Sequence, residues 1–231
     1  MKSEFKGFPS EGIVFFRKLK KNNNREWFLA HKQIYETKAR QPLMEFIGVL
    51  QKEMSKYASE IHFDSAKSIF RIYRDIRFSK DKSPYKTHMA AHFGSQGKAH
   101  TSAGLYIHLD ANEIFWGGGL YHPETTELRI VRASIAQDDT QLRKIIRDPK
   151  FQKLFGGLSG DQLSRTPKGF PPDHPAADLL RYKDYVAFAK EPVKLAMSGE
   201  VVSATVERFR AMMPLIRYLN QTLSQKASHF F

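Results

Sequence analysis

The chain contains no cysteine, so a disulfide framework, a thiolate metal site and a cysteine nucleophile are excluded together. No apolar run of about 18 residues occurs, the minimum for a spanning helix. The opening MKSEFKGFPSEG lacks the apolar core of a secretory signal. The expected location is therefore cytoplasmic, with no membrane contact. Compact chemical signatures are missing as well: there is no HExxH, no GxSxG and no GxxxxGK[ST]. Neither a metal nor a cofactor is expected. Acidic residues are scarce, 24 against 37 Lys and Arg, which leaves a formal charge of +13 and a pI near 9.8. A positive surface attracts phosphates and nucleic acid non-specifically, although a merely solvated basic surface produces the same numbers.

What is present supports a sizeable core. Of 231 residues 41% are hydrophobic and 18 are Phe, enough for one domain spanning 1–231. Its first part, 1–62, reads as helical. Ile13, Val14, Phe16 and Leu19 recur at helical spacing, and Asn24 is placed to cap a second helix reaching about Arg40. Pro42 suits the first turn of a third helix. There Leu43, Ile47, Leu50, Met54, Tyr57 and Ile61 form a core-facing stripe.

Beyond His62, Phe63, Asp64 and Ser65 the period changes from 3.6 to 2. Phe70, Ile72, Arg74 and Ile76 alternate with Ile69, Arg71, Tyr73, Asp75 and Arg77. Further strands are expected over 85–93, 102–109 and 113–118, with an exposed loop at 94–98 and a hairpin loop at 110–112. The part 66–119 is thus an antiparallel sheet core. In the part 124–231, helices are expected from Glu124 and Asp138, over 151–158 and 176–182, and over 199–223 with a kink at Pro214. An irregular Pro-rich connection occupies 165–175, and 185–189 reads as an edge strand. The fold class is α+β: a mainly antiparallel sheet of four or five strands with N-terminal and C-terminal helices packed on it.

The densest feature is IFRIYRDIRFSKDKSPYKTH, from Ile69 to His88. Between Lys67 and Lys86 seven cations face two acids, Asp75 and Asp81, a net +5. The stretch Arg74-Asp75-Ile76-Arg77-Phe78-Ser79-Lys80-Asp81-Lys82-Ser83-Pro84-Tyr85-Lys86 resembles the signature of a bacterial and fungal family known as domain of unknown function 2461. The likeness extends to Asn23-Asn24-Arg25-Glu26-Trp27-Phe28 and to Gly117-Gly118 before Pro123. It also takes in Pro167-Lys168-Gly169-Phe170, Asp173-His174-Pro175 and Leu179-Leu180-Arg181. The resemblance implies one shared architecture over most of the chain and carries no reaction.

Three readings of the basic stretch stand side by side. In the first, Arg71, Arg74, Arg77, Lys80, Lys82 and Lys86, with Ser79, Tyr85 and the more distant Lys168, bind an anionic ligand, either a phosphorylated metabolite or a nucleic-acid backbone. In the second, a metal-independent enzyme acts on a phosphorylated or carboxylated substrate, with His88 or His108 as acid or base and Asp75 as orienter. In the third, the stretch is structural or recognises an acidic protein: Asp75 and Asp81 lock the arginines into a salt-bridge lattice. Two acids cannot neutralise seven cations, so a surplus remains in every case.

Overall fold

In the computed structural model, residues 5–61, 64–94 and 102–227 are described. Helix α1 (Ser10–Lys21) carries Glu11 in its first turn and Lys18, Lys20 and Lys21 in its last, charges that complement the helix dipole. Helix α2 (Arg25–Tyr35) starts where expected, the Asn24 side chain accepting from the Trp27 amide at 2.9 Å. It does not end at Arg40 as a separate helix. A π-helical turn, Glu36–Arg40, joins it directly to α3 (Gln41–Met54). Pro42 therefore sits inside a continuous helical path. The extra residue of the π turn brings the Lys38 carbonyl towards α1, and a Cβ at Gly12 would lie 2.2 Å from that oxygen. Glycine is what lets the two backbones approach. Helix α3 stops at Met54, about two turns before Ile61, yet Leu43, Ile47, Leu50, Met54 and Ile61 are all buried.

Two compact units are distinguished. One comprises the described residues of Met1–Phe93, Tyr106–Trp116 and Lys190–Glu207; the other those of Gly94–Leu105, Gly117–Ala189 and Arg208–Phe231. The first unit is built on aromatics. Phe5, Phe8 and Phe46 meet at 5.1–5.3 Å between ring centroids, and Phe28 stacks on Tyr85 at 4.1 Å. Most of the Phe side chains among the described residues are buried in the core. Buried Trp116 donates its indole N–H to the Thr205 hydroxyl at 2.9 Å, the partner a buried indole needs.

A four-stranded antiparallel sheet has the order β1 (Met89–Gly94), β2 (Gly104–Leu109), β3 (Glu113–Leu120), β4 (Tyr185–Pro192), with helices flanking it. The α+β expectation holds, with one exchange of strands. Residues 69–77 form no strand; their β pairing is limited to isolated bridges, Ile69 to Ala91 and Tyr73 to Tyr85. The fourth place is taken by the edge strand read at 185–189, extended to Pro192. The strand expected over 85–93 begins only at Met89. His62, Phe63 and, apart from Gly94, the loop expected at 94–98 lie outside the described residues.

In the second unit Gly119 has φ +129° and a Cβ there would lie 2.1 Å from the Tyr185 carbonyl oxygen. The glycine run of β3 thus permits close pairing with β4. Helices α5 (Thr125–Gln137), α6 (Thr140–Ile146) and α7 (Pro149–Phe155) follow a short α4 (Ser65–Ser68) in chain order. Pro149 opens α7 instead of closing α6, with the Asp148 carboxylate accepting from the Lys150 and Phe151 amides. The Pro-rich connection leads to α8 (Ala177–Leu180), and after α9 (Val193–Ala196) the described residues end in α10 (Glu200–Ala227), which carries Pro214 inside it. No helix among the described residues is long and apolar enough to cross a membrane.

Candidate functional site

The basic stretch enters from α4, capped by Asp64, and doubles back as two extended arms. The Phe70 amide donates to the Ala90 carbonyl at 3.0 Å, Lys86 to Ile72 at 2.8 Å and Arg74 to Pro84 at 2.9 Å. A regular ladder fails for an identifiable reason. Side chains take the carbonyls that a neighbouring strand would use: Lys86 Nζ binds Arg71 O at 3.0 Å, Lys82 Nζ binds Ile76 O at 3.0 Å, and Arg74 binds Ser83 O at 3.1 Å. Pro84 supplies no donor of its own.

Much of the charge is committed internally. Arg77 grips Asp75 with two bonds, Nε at 3.0 Å and an η nitrogen at 2.7 Å. Arg74 pairs with Asp81 at 2.5 Å and reaches the Ser79 hydroxyl at 3.4 Å. The Arg77 bonds hold the Asp75 carboxyl down at about 2. Asp81 is likewise held at about 2, first by bonds from the Ser83 hydroxyl and amide and then by Arg74. Lys67 pairs with Asp64 at 3.5 Å. Four cations of the turn, Arg71, Lys80, Lys82 and Lys86, have no carboxylate at ion-pair distance among the described residues; Lys82 meets a carbonyl oxygen, and Lys86 a carbonyl oxygen and the Phe70 ring.

Tyr85 is placed otherwise than a ligand contact would be. It is buried on Phe28, and Asn23 clasps its backbone, donating to its carbonyl at 2.9 Å and accepting from its amide at 3.0 Å. Burial raises its phenol above the ordinary value. Lys168 belongs to the second unit, exposed beside Gly169 in the Pro-rich connection. That connection is tied down by Arg143, which bonds both Asp178 carboxylate oxygens (2.8 and 3.0 Å) and the Pro175 carbonyl (3.3 Å). The His174 imidazole accepts from the Ala176 amide at 3.0 Å.

The two histidines do come together: His88, just before β1, and His108 on β2 lie 5.1 Å apart between ring centroids. Asp75 joins neither; no hydrogen bond or ion pair links it to them. The carboxylate that acts on both rings is Asp110, opposing the effect of burial. Burial, then His108, then Lys86 push the His88 imidazole down to about 4, and burial lowers His108. Both rings are neutral at physiological pH. His108 stacks nearly parallel on Phe115 at 4.8 Å, Tyr106 lies 5.7 Å from His108, and Phe70 lies 6.2 Å from Tyr106. The five rings form one continuous half-exposed row.

Sequence reasoning missed Phe115 and Asp110 because it did not fix the hairpin register. The Asp110 carboxylate accepts from the Asn112 and Glu113 amides, and the Asp110 amide donates to the Glu113 carbonyl. This tight Asx turn pairs 110 with 113 and so sets His108 opposite Phe115. The Asp110-Ala111-Asn112 sequence was the available signal. Among the described residues no three His, Asp or Glu side chains gather as metal ligands.

Residues 11–218 match the model of a family described as conserved hypothetical protein (DUF2461). No curated protein matches the chain.

Proposed function

We propose, from the premise that the chain belongs to the DUF2461 family and takes no activity from it, that it binds an anionic ligand through the turn 71–88. One observation carries this: the four cations without a carboxylate, Arg71, Lys80, Lys82 and Lys86, on a turn whose remaining arginines are internally braced. Bracing fixes the loop before ligand arrives, so less ordering entropy opposes binding. The ligand is a phosphorylated small molecule or a nucleic-acid backbone, and the setting is cytoplasmic. Arg74 and Arg77 serve chiefly as the brace; Arg71 and Lys80 are the cations left to meet the ligand.

A thermal-shift series against inorganic phosphate, pyrophosphate, nucleotides and oligonucleotides tests this, run on the native protein and an Arg71→Ala, Lys80→Ala variant. Ligand at one hundred times Kd stabilises the folded state by about 2.7 kcal/mol. The native protein should shift and the variant should not, while the unliganded melting points agree. Equal shifts in both would place the anion elsewhere.

The proximity of His88 and His108 favours acid–base chemistry as a second reading. It requires a substrate proton within reach of one ring, and His108→Gln should then abolish turnover while anion binding persists. Retained turnover in that variant removes this reading.

A further inference from the structure

Phe78 stands at the tip of the basic turn with 95% of its surface exposed, and the Arg77 guanidinium lies over its ring, 5.7 Å from the centroid. The same pairing recurs on the other arm. Lys86 Nζ lies 5.1 Å over the ring of Phe70, itself 42% exposed. A single exposed Phe needs no explanation. Two exposed rings on one cation-rich turn suit a nucleotide: the base stacks on the ring face that its cation leaves open, and the phosphate meets the cations left for the ligand, Arg71 and Lys80. From Phe70 the aromatic surface continues through Tyr106, His108, Phe115 and His88 at spacings of 4.8–6.2 Å. It is too long for one base.

We infer that the anion bound by this turn is the backbone of a single-stranded nucleic acid, whose bases stack on Phe78 and Phe70 and along the half-exposed ring row. This rests on the anion-binding reading above and names its ligand. The chemistry discriminates against the neighbouring possibilities. In a duplex the base faces are already stacked on each other and cannot reach a ring row. An anionic membrane would also attract a basic turn tipped by Phe. However, Tyr106, His88 and His108 give the row polar edges, suited to hydrogen-bonding base edges rather than to acyl chains. Arg71 follows Phe70 in the chain and Lys80 comes two residues after Phe78, so each supplies a phosphate contact near a stacking ring.

The test is fluorescence anisotropy of a labelled oligothymidine and an oligouridine of about 12 nucleotides, a length one small platform covers. A duplex of equal length, pyrophosphate calorimetry and phosphatidylserine vesicles run alongside. The variants are Phe78→Ala, whose side chain is outside the core, and Phe70→Leu as a second. Loss of one stacked base should weaken single-strand binding roughly 5- to 150-fold in each, with melting point and pyrophosphate affinity unchanged. Three results overturn the inference while sparing the anion site: no effect of either variant on oligonucleotide affinity, duplex binding as tight as single-strand binding, or preference for vesicles with no oligonucleotide bound. Absence of binding to pyrophosphate and oligonucleotide alike defeats both.

Discussion

Acidification from about pH 7 to about pH 5 should weaken the fold through His88. In the unfolded chain its imidazole takes a proton near the ordinary 6.5, whereas the folded protein holds it down to about 4 by burial and by the neighbouring His108 and Lys86. The unfolded state therefore binds more protons throughout this window, and stability falls as pH falls. The contribution is fully present above about 6.5 and fully lost below about 4. A shift of this size corresponds to roughly 3 kcal/mol in total, and about 2 kcal/mol of that is spent by pH 5. His108, also lowered by burial, adds in the same direction. The carboxylates of the turn do not confuse the result, since Asp75 and Asp81 titrate at about 2. Urea unfolding at the two pH values, in native protein and His88→Gln, isolates the effect. The native loss should exceed the variant's by about 2 kcal/mol, out of a total stability on the order of 5–15 kcal/mol. Equal losses in the two proteins would refute the reasoning.

Other substitutions probe the scaffold that holds the turn. Gly12→Ala places a methyl 2.2 Å from the Lys38 carbonyl oxygen and should cost about 1–3 kcal/mol in urea unfolding; an unchanged midpoint would mean that the π turn yields freely. Asn23→Ala removes both bonds to the Tyr85 backbone and should cost about 1–3 kcal/mol by the same assay. Arg74, 27% exposed, binds Asp81, the Ser83 carbonyl and Ser79, whereas Arg77 is 76% exposed and makes side-chain hydrogen bonds to Asp75 alone. Arg74→Ala should accordingly lower the melting point more than Arg77→Ala, and the reverse order would count against the bracing role. Below pH 4 the stabilisation held by Asp75 and Asp81 should disappear as pH approaches 2, a limb of the acid titration that Asp81→Asn flattens.

The residues differ in how far their roles could be read without coordinates. Asn24 as a cap, the apolar stripe of α3 and the hairpin after Leu109 follow from local chemistry, and local chemistry decided them. The stretch 69–77 has the alternation of a strand but not its bonds, because Lys82, Lys86 and Arg74 reach back to carbonyls on their own turn. Periodicity reports which side faces in; it does not report which group fills each backbone acceptor. The π turn was equally silent, since its extra residue leaves the apolar spacing on either side intact. At the site, the cation surplus was countable in the sequence, but which cations carry it was not. Arg74 and Arg77 look like the strongest anion ligands on paper and are the two that Asp81 and Asp75 occupy. The meeting of His88 and His108 was legible from the strands expected over 85–93 and 102–109, although β1 itself starts one residue after His88, whereas Phe115 and Asp110 depended on a register that a one-residue slip would have changed.

The most direct measurement of anion binding is a pyrophosphate titration followed by amide chemical shifts in the isotopically labelled protein. Saturable shifts centred on the amides of residues 71–86, lost in the Arg71→Ala, Lys80→Ala variant, are expected. Shifts scattered over the surface without saturation, or centred away from the turn, would contradict it.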